Sequence, residues 1–367
     1  SRLITEIAMQ YHIRKPWQLP QSLHTPEEVY WNRKAHRREF LRTLGLGAAA
    51  LGIGGGLSGC DSASNEEVLK SGKVETPTAL ADRHPEDAAH DDWPPAENNE
   101  FGALHNPNFE YGRPETKEED AARYTNFYEF SGSKSTYRLV GDFKPHPWKF
   151  DVSGLCAKPK TFDIDDIYKM MSFEERDYRH RCVETWAMCV PWTGFPLRDL
   201  LKLVEPTPKA KFVVFQTFNV PNEKDEKAGL PTFDGPNMSS FLSSYPWPYT
   251  EGLTIDEAMN ELAFIATGIY GKPLAKQHGA PIRLVVPWKY GFKSCKSIVR
   301  ITLTDKQPAT FWNTLAPHEY GFTANVNPEV PHPRWSQATE WMLPSQATRY
   351  ETVIYNGYGD YVAKLYT

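Results

Sequence analysis

Charge divides this chain into three before any motif is read. Residues 1–60 carry 8 Lys/Arg against 4 Asp/Glu, whereas residues 61–120 carry 5 against 16. The remainder is nearly neutral within a net charge of −5 over 367 residues. The acidic stretch is rich in Pro, Asn and Glu and poor in large aliphatics. Such a segment buries too little apolar surface to offset its own ordering, so residues 61–120 read as an extended linker. That confines the folding problem to one globular body, residues 121–367. With 30 prolines and 13% aromatics in the chain as a whole, loops are expected to be pinned rather than floppy. A mean hydropathy of −0.56 excludes a polytopic membrane protein. The net charge argues against nucleic acid as the main partner.

Residues 1–60 read as an export leader. His36-Arg37-Arg38-Glu39-Phe40-Leu41-Arg42 precedes a weakly apolar, Gly- and Ala-rich run from Thr43 to Ser58. Paired arginines before a modest hydrophobic run form the twin-arginine export pattern, with Arg37 and Arg38 as the residues read and the twin-arginine translocase as a partner. The run falls short of the roughly 20 apolar residues that span a bilayer. A Gly-rich amphipathic anchor is the blander reading. Leu57-Ser58-Gly59-Cys60 resembles a bacterial lipobox with Cys60 as the lipidated residue, the alternative being a plain cleavage site. The expected location is periplasmic, with a membrane tether available through Cys60. Twin-arginine export moves folded proteins, which points to a cofactor loaded beforehand. Five cysteines, one of them Cys60, make no dense disulfide framework.

The body begins to look globular near Trp148. Strands are expected at Lys149–Leu155, Arg176–Thr185, Lys211–Phe218, Phe264–Ile269, Ile282–Pro287 and Ile298–Thr304. Helices are expected at Asp163–Met171, Leu197–Val204 and Thr254–Asn260. Strands and short helices follow no regular alternation. That predicts an α+β fold with mixed sheets, short helices and long coil in a single catalytic domain. There is no Gly-rich phosphate loop after a strand and no Cys/His spacing that suits zinc.

Three clusters could carry chemistry. Arg181-Cys182-Val183-Glu184-Thr185-Trp186 sets a thiol between Arg179, His180 and Arg181 on one side and a carboxylate on the other. Nearby cations lower a thiol pKa and favour the thiolate that ligates metal or attacks substrate. A buried structural cysteine is the alternative, and it suits Cys189. Secondly, Arg283, Lys289, Lys293 and Lys296 gather with His278 around a glycine-turned loop. That suits a phosphate or another polyanion, the alternative being a solvated basic loop. Thirdly, Asn126-Phe127-Tyr128-Glu129-Phe130 is polar and aromatic at the edge of the body. Alone it would be a docking segment.

Taken in order, these strings resemble the molybdopterin enzymes of the sulfite-oxidase fold, most closely the branch that reduces methionine sulfoxide within proteins. The likeness also rests on Val190–Leu197, Tyr249–Leu253, Asp256–Met259, Val286–Lys293, Tyr320–Pro328 and His332–Glu340, and it spans residues 120–360. The resemblance implies a molybdenum–molybdopterin cofactor with Cys182 as the thiolate on molybdenum. It implies that Tyr128, Glu129, Thr217, His278, Arg283, Ser294, Cys295 and Lys296 bind the pterin and its phosphate. Asn126 and Glu184 would face the open side of the metal. This chain departs from the family at Thr125, where Asn is usual, at His278, where the bacterial reductase often has Asn, and at Cys295, which replaces an aliphatic residue.

The family divides between oxidising sulfite and reducing sulfoxides. Val183-Glu184-Thr185-Trp186 follows the cysteine where sulfite oxidases carry an Arg-bearing segment, so a carboxylate replaces a cation. Glu184 would repel a dianion and supply a proton. Trp186, Trp192 and Tyr290 would line an apolar mouth or pack in the core. The reading is reduction of protein-bound methionine sulfoxide in oxidised envelope proteins. Sulfite oxidation, reduction of small S- or N-oxides and a non-catalytic exported lipoprotein remain as alternatives. No Cys-x-x-Cys-His haem motif is present, so the resemblance implies electrons from a haem-bearing membrane subunit fed by quinol. The chain leaves no room for the dimerisation domain of sulfite oxidases, so a monomeric catalytic subunit is expected.

Overall fold

Residues 103–218 and 245–367 are described by the computed structural model. Arg37, Arg38, Cys60 and the linker up to residue 102 lie outside the described residues. Pro333–Trp335 apart, what is described falls in one compact unit. Its strands are β1 Lys149–Gly154, β2 Lys160–Asp163, β3 Glu174–Arg181, β4 Trp186–Pro196, β5 Phe212–Thr217, β6 Thr250–Thr254, β7 Phe264–Ile269, β8 Lys272–Pro273, β9 Arg283–Val285, β10 Ile298–Thr304, β11 Thr339–Met342 and β12 Arg349–Glu351. The helices are α1 Glu118–Arg123, α2 Ile164–Met170, α3 Leu197–Val204, α4 Ile255–Met259, α5 Phe311–Leu315 and α6 Gly359–Val362. None of them is long and apolar enough to cross a membrane.

Two mixed sheets carry the core, as the irregular strand and helix order predicts. The first runs β2-β1-β10-β5-β6, with β1 and β10 parallel and the other pairs antiparallel. The second runs β12-β11-β4-β7-β8, with β3 added on β4 and β9 on β7. Its β11–β4 pair is parallel. Local chemistry sets several boundaries. Asp163 caps α2 by accepting from the Asp165 N–H at 3.1 Å. Thr254 and Glu257 form a reciprocal capping box at the start of α4. Helix α3 turns Leu197, Leu200, Leu201 and Val204 inward, each burial contributing about 1.5–3 kcal/mol.

The longest strand is the one the sequence hides. Every residue of β4 is buried, because β3 and β7 pair along it and no face meets water. Without an exposed face there is no alternation to read, and Pro191, Gly194 and Pro196 look like breakers. The end of the linker also joins the body. Phe109 and Tyr111 are buried, and Thr116 exchanges hydrogen bonds with Cys189 on β4.

Arg181, the last residue of β3, is fully buried. Its Nε donates to Glu340 on β11 at 2.9 Å and its Nη2 to Gln337 at 2.8 Å. Its Nη1 donates to the Cys182 carbonyl, and Gln337 donates to the Val183 carbonyl at 2.8 Å. Arg113 also donates to Glu340. One ion pair thus ties both sequence-distant ends of the second sheet to the backbone that carries Cys182. Neutralising one partner of such a pair strands a buried charge, at a cost of about 3–5 kcal/mol. Glu340→Gln, nearly isosteric, is therefore expected to lower the free energy of unfolding by that much, read as a lower denaturant midpoint at unchanged slope. An unchanged midpoint would remove the pair from the account.

Candidate active site

The residues between β3 and β4 form a tight turn. Thr185 takes a positive φ of 72°, and its N–H donates to the Cys182 carbonyl at 3.0 Å. The Cys182 N–H donates to the Trp186 carbonyl at 2.9 Å. The turn presents the side chains of Cys182 and Glu184 to an open cleft. The segment 125–135 supplies the neighbouring groups. The Thr125 N–H donates to the Lys134 carbonyl at 3.0 Å, while the Phe127 and Phe130 rings anchor the segment edge-to-face in the core. Asn126 Nδ2 reaches Cys182 Sγ at 3.5 Å and Glu184 Oε2 at 3.0 Å. The Lys134 ammonium donates to both Glu184 Oε2 and Asn126 Oδ1. Trp186 Nε1 donates to Glu184 Oε2 at 3.4 Å.

These contacts set the protonation of the pair. Burial raises the Glu184 carboxyl, but Lys134 and the hydrogen bonds from Lys134, Asn126 and Trp186 overcome it and hold the group below its ordinary value. Burial, then Glu184, pushes the Cys182 thiol up to about 12. That corrects the expectation that flanking cations lower it. Arg181 is committed to Glu340, and burial, then Arg283 and Lys296, lowers the His180 imidazole well below its usual range. In the protein alone Cys182 is a thiol, and ligating a metal would drive off its proton.

The basic cluster also divides. Lys289 pairs with Glu257 and Lys293 with Glu251, all four buried. The sequence reading placed both lysines on a polyanion, and the structure corrects it: they neutralise core carboxylates. Arg283 and Lys296 line the cleft and have no ion-pair partner among the described residues. Arg283 is 1% exposed, donates only to the backbone carbonyls of Leu284, His278 and Ser294, and stacks over Trp192 at 4.7 Å. His278 joins them as a neutral imidazole, lowered to about 3 by burial and by Arg283 and Lys296. Two glycines let the backbone close round this corner. Gly279 takes a φ of +102°, and a Cβ there would meet Lys296 at 2.6 Å. A Cβ on Gly291 would lie 2.4 Å from His180 Nε2.

Asn126, Tyr128, Glu129, Cys182, Glu184, His278, Arg283, Ser294 and Lys296 all line the one cleft. Thr217 and Cys295 do not. Thr217 stands behind Glu129, donating to its Oε1 at 2.9 Å. Cys295 is fully buried, with its carbonyl taken by the Leu284 N–H and its own N–H given to Lys293. Trp186 reaches the mouth as expected, but Trp192 is core and Tyr290 is outside the lining. Phe292, Trp312 and Tyr320 take their place. Sequence reasoning missed Lys134, Tyr249 and Trp312, and treated His180 only as a charge on the thiol.

The donor set fits a thiolate-bound metal on an anionic organic cofactor. A soft sulfur faces the cleft. Arg283 and Lys296 line it without a direct ion pair, and burial lowers them to about 9 and about 7, the latter against the pull of Glu129, so a bound anion would favour their charged forms. The buried Thr125 hydroxyl has no hydrogen-bond partner among the described residues. The model for the oxidoreductase molybdopterin binding domain matches residues 138–312. The catalytic subunit MsrP of protein-methionine-sulfoxide reductase from Burkholderia mallei is 43% identical over 352 residues, covering 95% of this chain and 93% of its own. Its counterpart from Gluconobacter oxydans is 49% identical over 256 residues, 68% of this chain and 78% of that protein. The Ralstonia nicotianae protein is 47% identical over 276 residues, 73% and 79% of the two chains. The chain that builds this cleft belongs to the family of protein-methionine-sulfoxide reductase catalytic subunits, with an oxidoreductase molybdopterin-binding domain at its centre.

Proposed function

We propose that this protein reduces methionine sulfoxide in oxidised envelope proteins to methionine. The observation that carries the reading is the convergence of Cys182, Asn126 and Glu184 with two unpaired cations on one cleft. Cys182 would hold molybdenum. Arg283 and Lys296 would hold the pterin phosphate, with Tyr128, Glu129, His278 and Ser294 around the ring system. Thr217 acts through Glu129, and Cys295 is buried behind the lining. When bound, the cofactor supplies the two-electron chemistry.

The chain's own residues supply the rest. Converting a sulfoxide to a thioether consumes two electrons and two protons and releases water. The Asn126 amide N–H that points weakly towards Cys182 Sγ at 3.5 Å would be given up to the sulfoxide oxygen, while the other stays on Glu184. Glu184 Oε2, held ionised by Lys134, takes up and returns a proton rather than standing as a resting acid. Trp186, Phe292, Trp312 and Tyr320 give a thioether side chain aromatic surface, to which sulfur is attracted. A sulfite dianion would find no free cation beside Cys182, because Glu184 already neutralises Lys134, which disfavours oxidation of sulfite.

The decisive test is metal content with turnover. The holoenzyme is expected to hold stoichiometric molybdenum, to reduce methionine sulfoxide in an oxidised protein with an artificial donor, and not to oxidise sulfite. Cys182→Ser is expected to abolish turnover with little change in stability, because the swap barely alters volume, while Cys189→Ser retains it. Wild-type turnover in Cys182→Ser would sink the assignment.

The leader extends the reading to the cell envelope. Arg37 and Arg38 would route the folded protein through the twin-arginine translocase. Lipidated Cys60 and the acidic linker would hold the enzyme near a haem-bearing membrane subunit that passes electrons from quinol. One acyl chain gives only weak membrane binding, and a diacylglycerol supplies two. Mass spectrometry of the mature N-terminus is expected to find lipid on Cys60, and Cys60→Ala is expected to release the enzyme from membranes. An unmodified N-terminus at or beyond residue 60 would instead indicate a free periplasmic enzyme.

A further inference from the structure

Lys134 belongs to no motif, yet it completes the open side of the site. It lies outside the cleft lining, on a loop tied to Thr125 through the main chain. Serine hydroxyls stiffen that loop, Ser131 accepting from the Ser133 N–H at 2.9 Å and Ser133 from the Ser135 N–H at 3.2 Å. The Lys134 ammonium contacts the Glu184 carboxylate and the Asn126 amide oxygen together. Asn126 then gives its amide N–H to Glu184 at 3.0 Å and towards Cys182 Sγ at 3.5 Å. Lysine, asparagine and glutamate close a ring of hydrogen bonds.

The ring also balances charge. Lys134 and Glu184 cancel, so the side of the cleft next to Cys182 carries no net charge. Arg283 and Lys296 have no such ion-pair partner among the described residues. Remove Glu184 and Lys134 becomes a third cation near a cleft that already has two. Remove Lys134 and Glu184 stands as a lone anion with Asn126 free to turn.

We propose that Lys134 is a positioning and specificity residue that locks Asn126 and Glu184 into one neutral unit beside Cys182, so that this side takes a neutral dipolar S=O group and turns away oxyanions. The proposal rests on the sulfoxide reading given above. A sulfoxide carries no net charge, and its oxygen needs an oriented N–H rather than a cation. By cancelling Lys134, Glu184 withholds the cation an oxyanion would need, and specificity of this kind is a difference between two affinities.

The test uses holoenzymes of the wild type, Lys134→Met, Lys134→Arg, Glu184→Gln and the Lys134→Met/Glu184→Gln double variant. Sulfate binding is measured by calorimetry without turnover, KM and kcat on a methionine-sulfoxide peptide, and molybdenum content as a control. Glu184→Gln is expected to bind sulfate about tenfold tighter, the scale of one unmasked charge at a half-buried site. Adding Lys134→Met is expected to erase that gain. Lys134→Met alone is expected to raise KM for the sulfoxide about tenfold at unchanged molybdenum content, with Lys134→Arg recovering most of it. Equal sulfate affinity in Glu184→Gln and the double variant overturns the charge unit, and so does a KM unmoved by Lys134→Met. A wild type that fails to reduce the sulfoxide, by contrast, defeats the substrate reading; the sulfate cycle still reports on the charge unit separately.

Discussion

The Arg181–Glu340 ion pair decides where Cys182 can be. It is buried at both ends, so no water screens it and its attraction is strong. Burial of this kind seldom makes a protein more stable than a well-packed apolar pair would, because desolvating both ions costs about as much as their contact returns. What the pair provides is position. Arg181 grips Glu340, Gln337 and the Cys182 carbonyl at once. The turn from Cys182 to Thr185 is thereby referenced to β11, not only to the strands on either side of it. A thiol on a free loop would have to be ordered by its ligand. This one is ordered beforehand.

A second constraint follows from where the other charges go. Four basic residues lie between 283 and 296, and the fold treats them in two ways. Lys289 and Lys293 meet Glu257 and Glu251 inside the protein. Arg283 meets backbone carbonyls, the Trp192 ring and neutral histidines, and Lys296 lies over the Phe127 ring without a direct ion pair, feeling the buried Glu129 carboxylate only through space. Neutral imidazoles matter here, because protonated ones would add charge to a corner that already repels it. The uncompensated pair therefore marks the part of the cleft that needs an anion, while the compensated lysines stiffen its surroundings.

What was legible in the sequence was local. Cys182 and Glu184 stand two residues apart, and His278, Arg283 and Lys296 fall within a single stretch of chain, so their convergence could be anticipated. Helix α3 and strands β7 and β10 run over the expected residues, because each carries its own periodicity or apolar run. Non-local partners were not legible. Glu340 is 159 positions from Arg181, and nothing in either segment names the other. Lys293 looked like a phosphate ligand because Glu251, 42 positions earlier, could not be seen beside it. Lys134 escaped because it lies in a run of Ser and Gly that reads only as loop. Strand β4 escaped for the opposite reason, since a strand buried on every side has no pattern to show.

The two halves of the cleft thus suit ligands with different lifetimes. A permanent cofactor has to be held against loss, and uncompensated cations do this well, since release would leave them buried and unpaired. A substrate has to leave after each turnover, so its side of the cleft cannot be a strong electrostatic trap. Pairing Lys134 with Glu184 removes the trap and leaves oriented hydrogen-bond donors in its place. The same physics that makes Arg283 and Lys296 good anchors would make a third free cation beside Cys182 a liability, because it would hold an anion where a neutral side chain has to enter. Internal compensation on one side and its absence on the other are what allow a single cleft to keep one ligand and exchange another.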